Sequence, residues 1–224
     1  MARELMDDDE SSGSQQEWTE SFRDLARVNR YLGGWNALRD AVARLPRLPD
    51  HFLDVGAGDC DMALRLLVYL KRRGIAARGV ALDRSAQILS IAAQRLGSAA
   101  DVVLVRGDAR SLPFAEASFD LAMLNLSLHH FEPADAVIVL RELARVSTTA
   151  VVNDLRRSLV AYAFARFAFP LFTHSRLTRN DGPVSVMRSY TPREAHELAR
   201  AAGWQRIEVR THFGYRMTLC GGRA

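Results

Sequence analysis

The nine residues Leu53-Asp54-Val55-Gly56-Ala57-Gly58-Asp59-Cys60-Asp61 constrain the fold more than any other stretch of the chain. An apolar strand breaks into an acidic, glycine-bearing turn, and an apolar helix follows at once through Met62, Leu64, Leu66, Leu67 and Leu70. Glycine permits the sharp turn and lets a ligand lie against bare peptide. The helix start behind it offers unpaired N–H groups. An acid two residues before the first glycine suits a cationic or hydroxylated ligand better than a pyrophosphate. The bland alternative is a plain strand-to-helix turn, since two glycines at this spacing are common.

Phosphate-binding motifs fit worse. A P-loop needs G-x-x-x-x-G-K-S/T, and the single lysine, Lys71, stands elsewhere. A dinucleotide fingerprint closes on Gly or Ala where this chain has Asp61. That carboxylate is expected to repel a pyrophosphate.

Apolar runs and helical patterns alternate downstream, which predicts a parallel sheet with crossover helices. Strands are expected at about 51–55, 77–82, 102–105, 119–124 and 150–153, then a closing hairpin at about 205–211 and 214–220. Ser85 and the Thr191-Pro192-Arg193-Glu194 capping box start helices, and Gly74, Gly97 and Gly203 stop them. Residues 18–49 read as two helices separated by Gly33-Gly34, with Pro46 and Pro49 ending the segment. Residues 155–189 interrupt the alternation.

Hydrophobic residues make up 48% of 224, enough for a core in one domain over 18–224. Residues 1–20 hold seven acids and one arginine, and residues 1–17 are expected to be a flexible acidic tail. Such a start is the opposite of a basic signal peptide. Two cysteines build no disulfide framework, so a reducing, cytoplasmic setting is expected. No run of 18 apolar residues is present. The basic excess beyond residue 20 is spread over scattered arginines, which reads as a solvated face rather than a nucleic-acid surface.

In a doubly wound sheet, ligands bind outside the carboxyl ends of the strands. Those ends carry Asp54, Gly56 and Gly58, then Asp83, then Gly107, Asp108 and Ala109, then Asn125, His129 and His130, then Asn153 and Asp154. Singly, each is a turn or cap residue. Together they line one rim. Asp83 suits a ribose diol, Asp108 an exocyclic amine, and the Ala109 N–H a ring nitrogen.

These motifs resemble those of class I S-adenosylmethionine-dependent methyltransferases, in the small-molecule branch near the ubiquinone/menaquinone C-methyltransferases and phenol or polyketide methyltransferases. The resemblance covers residues 50–154: Leu53–Asp61, Val80–Asp83, Arg106–Ala109, and Ser118-Phe119-Asp120 through Leu128-His129-His130-Phe131. It implies an α/β, Rossmann-like, doubly wound sheet of seven mostly parallel strands with an antiparallel last strand, N-terminal helices and a helical lid at 155–189. It implies S-adenosylmethionine as cofactor, leaving as S-adenosylhomocysteine. Arg30, Asp54, Gly56, Gly58, Asp83, Arg84, Asp108, Ala109 and Asn125 are then expected to bind it. Cys60 departs from the family, which usually has a third glycine there.

The expected reaction is methyl transfer to a small hydrophobic acceptor such as a phenol, quinone precursor or polyketide, in secondary metabolism, with oxygen slightly favoured over carbon. A phenol with a pKa of about 10 benefits from a base. His129, His130 and Asp154 are the catalytic candidates, although the histidine pair could simply wall the pocket. Tyr31 and Trp35 from the first helices, and Tyr162 and Arg166 from the apolar run 159–169, are the substrate-side candidates. That run, flanked by arginines, also suggests transient contact with a membrane surface. No metal is expected, because no Cys/His cluster has ligand spacing. No nucleic-acid partner is expected, and the chain is read as a monomer or homodimer. An RNA or protein methyltransferase, and a non-catalytic cofactor binder favoured by Cys60, are the alternative readings.

Overall fold

The computed structural model describes residues 15–97, 101–168, 173 and 175–223. Helices α1 (Gln15–Tyr31) and α2 (Gly34–Ala43) precede β1 (His51–Val55). The alternation then runs α3 (Asp61–Lys71), β2 (Arg78–Asp83), α4 (Ala86–Leu96), β3 (Val102–Arg106), β4 (Phe119–Asn125), α5 (Pro133–Val146) and β5 (Ser147–Leu155). Helix α6 (Leu159–Ala163), a π-helical turn (Phe164–Ala168) and α7 (Arg176–Arg188) follow, then α8 (Pro192–Ala201), β6 (Gln205–His212) and β7 (Arg216–Gly222).

The seven strands form one sheet in the order β3-β2-β1-β4-β5-β7-β6. β1 to β5 are parallel, and β7 runs antiparallel to both neighbours. The expected sheet, with its antiparallel last strand, is the observed one. The strand order reverses between β1 and β4, and a crevice opens at that switch point. Two apolar layers cover the faces. One holds Leu53, Val55, Leu124, Leu140 and Trp204, the other Phe52, Leu66, Leu70, Met123 and Val151.

The local signals act where the sequence places them. The Ser85 hydroxyl accepts from the Ile88 N–H at 3.3 Å and caps α4. Both bonds of the Thr191–Glu194 capping box form. Gly33 and Gly34 turn α1 into α2, with Gly33 at φ +78°. β5 is longer than the expected 150–153, because it is central and pairs with β4 on one side and β7 on the other.

The acidic start, read as a tail through residue 17, lies outside the described residues as far as residue 14. Residues 15–17 are a correction: they already belong to α1. The reason is Trp18, 2% exposed and packed with Phe22, Ile91 and Leu177, which ties down the first turn of the helix. No helix among the described residues is long and apolar enough to cross a membrane.

Candidate active site

The carboxyl ends of β1, β2, β4 and β5, with the opening of antiparallel β7 beside them, border a cavity of about 1070 Å³. That exceeds what one ligand of drug size needs and leaves room for a second. Its floor is the glycine turn. Gly56 and Gly58 sit at φ +61° and +56°. A Cβ on Gly56 would come 2.8 Å from Ser127 Oγ, and one on Gly58 would come 3.0 Å from Phe22 Cε1. Only glycine leaves that space open. Cys60 takes the same left-handed conformation at φ +64° at the N-cap position of α3, without a side-chain capping hydrogen bond. The turn therefore holds a non-glycine residue in the left-handed region, at a backbone cost of about 1–2 kcal/mol. The Cys60 side chain is fully buried, and burial pushes its thiol well above the usual range, so it is inert.

Asp54 is 1% exposed on the cavity floor. Its Oδ1 accepts from Asn125 Nδ2 at 3.2 Å, and its Oδ2 has no hydrogen-bond partner among the described residues. Burial pushes its carboxyl up to about 7, against the opposing pull of the Asn125 amide. The Asn125 side-chain oxygen accepts from Asn153 Nδ2 at 3.1 Å, which also donates to the Gly34 carbonyl at 3.1 Å. This line follows from register: Asp54 opposes Met123, and Asn125 opposes Asn153. Alternation places all three polar side chains on the face covered by the α1–α2 junction.

Asp83 accepts from the Gly58 N–H and the Ser85 N–H, both at 3.1 Å, so it braces the glycine turn as well as facing the cavity. Arg84, Ala109 and Asn125 line the cavity. Asp108 lines it too, but Arg110 grips both its oxygens, at 2.7 to 3.2 Å. That guanidinium holds the Asp108 carboxyl below its ordinary value. Asp61, expected to repel a pyrophosphate, is ion-paired to Arg65 and to Arg95, which also holds Asp59.

β4 ends at Asn125, and Leu126 turns the chain at φ +51°. This rare conformation for a branched residue sends the Leu128–His130 turn down toward β5. There His129 Nδ1 lies 2.7 Å from Asp154 Oδ1, and the His129 backbone N–H donates to Oδ2 at 3.1 Å. Burial alone would push the Asp154 carboxyl up; the His129 ring and two backbone N–H groups outweigh it and hold it below the ordinary range. An ionised Asp154 fixes the proton on His129 Nδ1. His129 and His130 both line the cavity, their rings 4.4 Å apart.

Five expected positions fall elsewhere. Arg30 is exposed and stacks over Tyr31, itself 68% exposed, so neither reaches the cavity. Trp35 packs edge-on against Tyr69, on the far side of α2. Tyr162 packs with Leu155 and Tyr215, and Arg166 is exposed over Phe167. The physical reason is helix phase: Ala161, Phe164 and Ala165 share the inward face, and they line the cavity instead. Helix α1 supplies the other wall through Trp18, Phe22, Leu25 and Asn29. It is joined to α7 by Ser175, whose N–H donates to Asp24 at 3.0 Å and whose Oγ lies 2.6 Å from Ser21 Oγ.

Asn153 was read as a strand end on the rim but given no role, and Arg216 was missed. Arg216 carried one signal: a charge in register with Thr218 and Cys220 on an otherwise apolar strand. Both are wholly buried.

The pocket fits an S-adenosylmethionine molecule on its own features. Asp54 Oδ2 is an unfilled acceptor that suits a cationic or hydroxylated group, Asp83 stands at the next strand end, and the glycine turn leaves bare backbone. Residues 52–149 match the family model described as a methyltransferase domain. The chain is 37% identical over 91 residues to malonyl-[acyl-carrier protein] O-methyltransferase of Xylella fastidiosa, covering 41% of this chain and 30% of that protein. It is 28% identical over 188 residues to demethylmenaquinone methyltransferase of Geobacillus stearothermophilus, covering 73% and 78%. The chain thus spans less than a third of the first relative and over three quarters of the second. Human N-acetylserotonin methyltransferase, solved with S-adenosylmethionine, superposes with a TM-score of 0.70 at 14% identity, over 94% of this chain and 57% of that one. Motifs, sheet order and relatives agree: over residues 52–149 the chain is similar to the methyltransferase domain family, and its sheet superposes on a structure solved with S-adenosylmethionine.

Proposed function

We propose that this chain methylates a hydroxyl of a small hydrophobic, phenol-like acceptor. The observation that carries the reading is the buried His129–Asp154 pair at the end of β4, in the wall of the cavity. Asp54, Asp83, Asp108, Ala109, Arg84 and Asn125, over Gly56 and Gly58, are the residues that would hold the cofactor. When bound, S-adenosylmethionine supplies a methyl group on a cationic sulfur, an electrophile that needs no further activation.

The chain's own contribution is alignment, dryness and one proton transfer. Asp154 keeps the proton on Nδ1, so Nε2 of His129 is the nitrogen that accepts the acceptor's hydroxyl proton. The proton ends on Nε2, and the oxygen keeps the electron pair that attacks. The resulting imidazolium faces an ionised Asp154, which stabilises it. General-base help of this kind contributes roughly 10²- to 10⁴-fold. Phe22, Phe131 and Phe164 supply an apolar surround for an aromatic acceptor.

A second reading is methylation at carbon. The Geobacillus relative is a demethylmenaquinone methyltransferase. Removing a phenol's proton also enriches its ring carbons, so the same base serves both outcomes.

We also infer a peripheral contact with anionic membrane. Leu159, Val160 and Phe167 are 82%, 63% and 73% exposed, within a stretch, 155–180, that holds five arginines and no acid. Such a face suits a lipophilic acceptor.

The deciding experiment incubates the full chain with methyl-labelled S-adenosylmethionine and an extract of the source cell, then identifies the labelled product. A labelled aryl methyl ether supports the reading, and a ring methyl supports the second. Label confined to RNA or protein, or no transfer, overturns both.

A further inference from the structure

Among the described residues, Arg216 is the largest fully buried side chain after Trp18, at 0% exposure. It opens β7 opposite Leu155, and it lines the cavity. Of its five N–H donors, one meets Asn29 Oδ1, at 3.2 Å from Nη2. Nε and Nη1 have no hydrogen-bond partner among the described residues. No carboxylate lies within ion-pair distance among the described residues. Asp154 on the neighbouring strand acts on it through space, but its own oxygens are taken by His129 and the Leu155 N–H. Burial pulls the guanidinium down to about 10, which leaves it charged at neutral pH.

A buried charge with no carboxylate in direct contact, with two of its three nitrogens unfilled, is costly in a fold that could have used an apolar residue. Its place explains its retention. Along the sheet, the cavity floor changes sign: Asp54 and Asp83 stand on β1 and β2, and Arg216 stands on β7, beyond His129. The acid end suits a cationic sulfonium, and the Arg216 end repels one. A phenolate does not answer the need, because it exists only after His129 takes the proton. A permanently ionised group does.

We propose that Arg216, with Asn29 beside it, is a carboxylate-binding subsite, and that the methyl acceptor is a hydroxy acid whose carboxylate docks there while its hydroxyl faces His129. The inference rests on the proposed methyl transfer and adds the substrate class to it. The carboxylate of the cofactor's amino-acid part is the other source of the same chemistry, and the test separates the two.

The test uses the full chain saturated with S-adenosylhomocysteine, and titrates in benzoate and its neutral isostere benzamide by calorimetry and thermal shift. Wild type is expected to bind benzoate at least about tenfold more tightly, the worth of one charge-assisted contact. Arg216→Met is expected to erase that preference, to leave S-adenosylhomocysteine affinity within about twofold, and to keep or raise the melting temperature of the free protein. Arg216→Lys is expected to retain part of the preference. Equal affinity of wild type for the two probes, including no binding of either, overturns the proposal. So does a tenfold loss of S-adenosylhomocysteine binding in Arg216→Met with the preference intact, which assigns the carboxylate to the cofactor. A fall in stability in both variants with the preference kept assigns Arg216 to structure alone. If wild type fails to bind S-adenosylhomocysteine at all, it is the methyltransferase reading that falls.

Discussion

Replacing Asp54 by asparagine tests the logic of the cavity floor, because stability and binding are expected to move in opposite directions. In the folded protein without ligand, burial raises the Asp54 carboxyl from 3.8 to about 7. At 1.36 kcal/mol for each pH unit, that is worth at most about 4 kcal/mol of tighter proton binding in the native state. The sign follows from which state holds the proton. A folded-state value above the unfolded one gives stability that is full below pH 3.8 and is lost as pH rises through about 7. Wild type therefore carries an ionised, half-satisfied buried carboxylate above neutral pH. The Asp54→Asn variant would keep the contact with Asn125 and carry no charge. Melting temperatures of the ligand-free proteins, measured from pH 5 to 8.5, are expected to diverge with rising pH, the variant ending higher by on the order of 5 °C or more. Calorimetry with S-adenosylmethionine is expected to show the variant weaker by roughly 10- to 100-fold, the value of a hydrogen bond to a charged acceptor. A variant that melts lower than wild type at pH 8, a difference that ignores pH, or unchanged cofactor affinity would refute the reasoning.

Asp154→Asn removes the group that sets the His129 tautomer, and turnover of a phenolic acceptor is expected to fall by roughly 10²- to 10⁴-fold while S-adenosylhomocysteine affinity stays within about twofold, read by steady-state kinetics and calorimetry. Gly58→Ala forces an L residue to φ +56° and places a methyl against Phe22, so thermal melts should show a loss of about 1–2 kcal/mol and little protection by S-adenosylhomocysteine. Cys60→Gly relieves a similar backbone cost but gives up buried side-chain contacts, so the melting temperature is expected to shift by only a few degrees, with cofactor affinity kept. Full chain carrying Leu159→Ser and Phe167→Ser is expected to lose flotation with phosphatidylglycerol vesicles, whereas wild type floats with these and less with neutral ones.

Much of the molecule was legible from the residue order. A strand that breaks at Gly56 and Gly58 and feeds an apolar helix specifies its own turn, because φ values near +60° admit little else. Ser85, Thr191 and the helix-stopping glycines act on backbone groups within a few positions of themselves, so their effect is written locally. The acidic tips of the strands followed from the rule that parallel strands present their carboxyl ends to ligand. What lay beyond reach was direction and partnership across the sheet. Tyr31, Trp35, Tyr162 and Arg166 carry suitable chemistry, but a rotation of about 100° per residue along a helix decides which side chain enters the cavity, and packing sets that phase. Asp61 was expected to repel a pyrophosphate, but Arg65 and Arg95 neutralise it from two helices. The pairing of His129 with Asp154, separated by 25 positions, and of Arg216 with Asn29, separated by 187, exists only because β4, β5 and β7 lie side by side and α1 folds over them. Local chemistry thus determined the turn, the caps and the order of the elements. The burial that raises Asp54, and the company in which it leaves His129 and Arg216, belong to contacts between distant segments that only the folded chain creates.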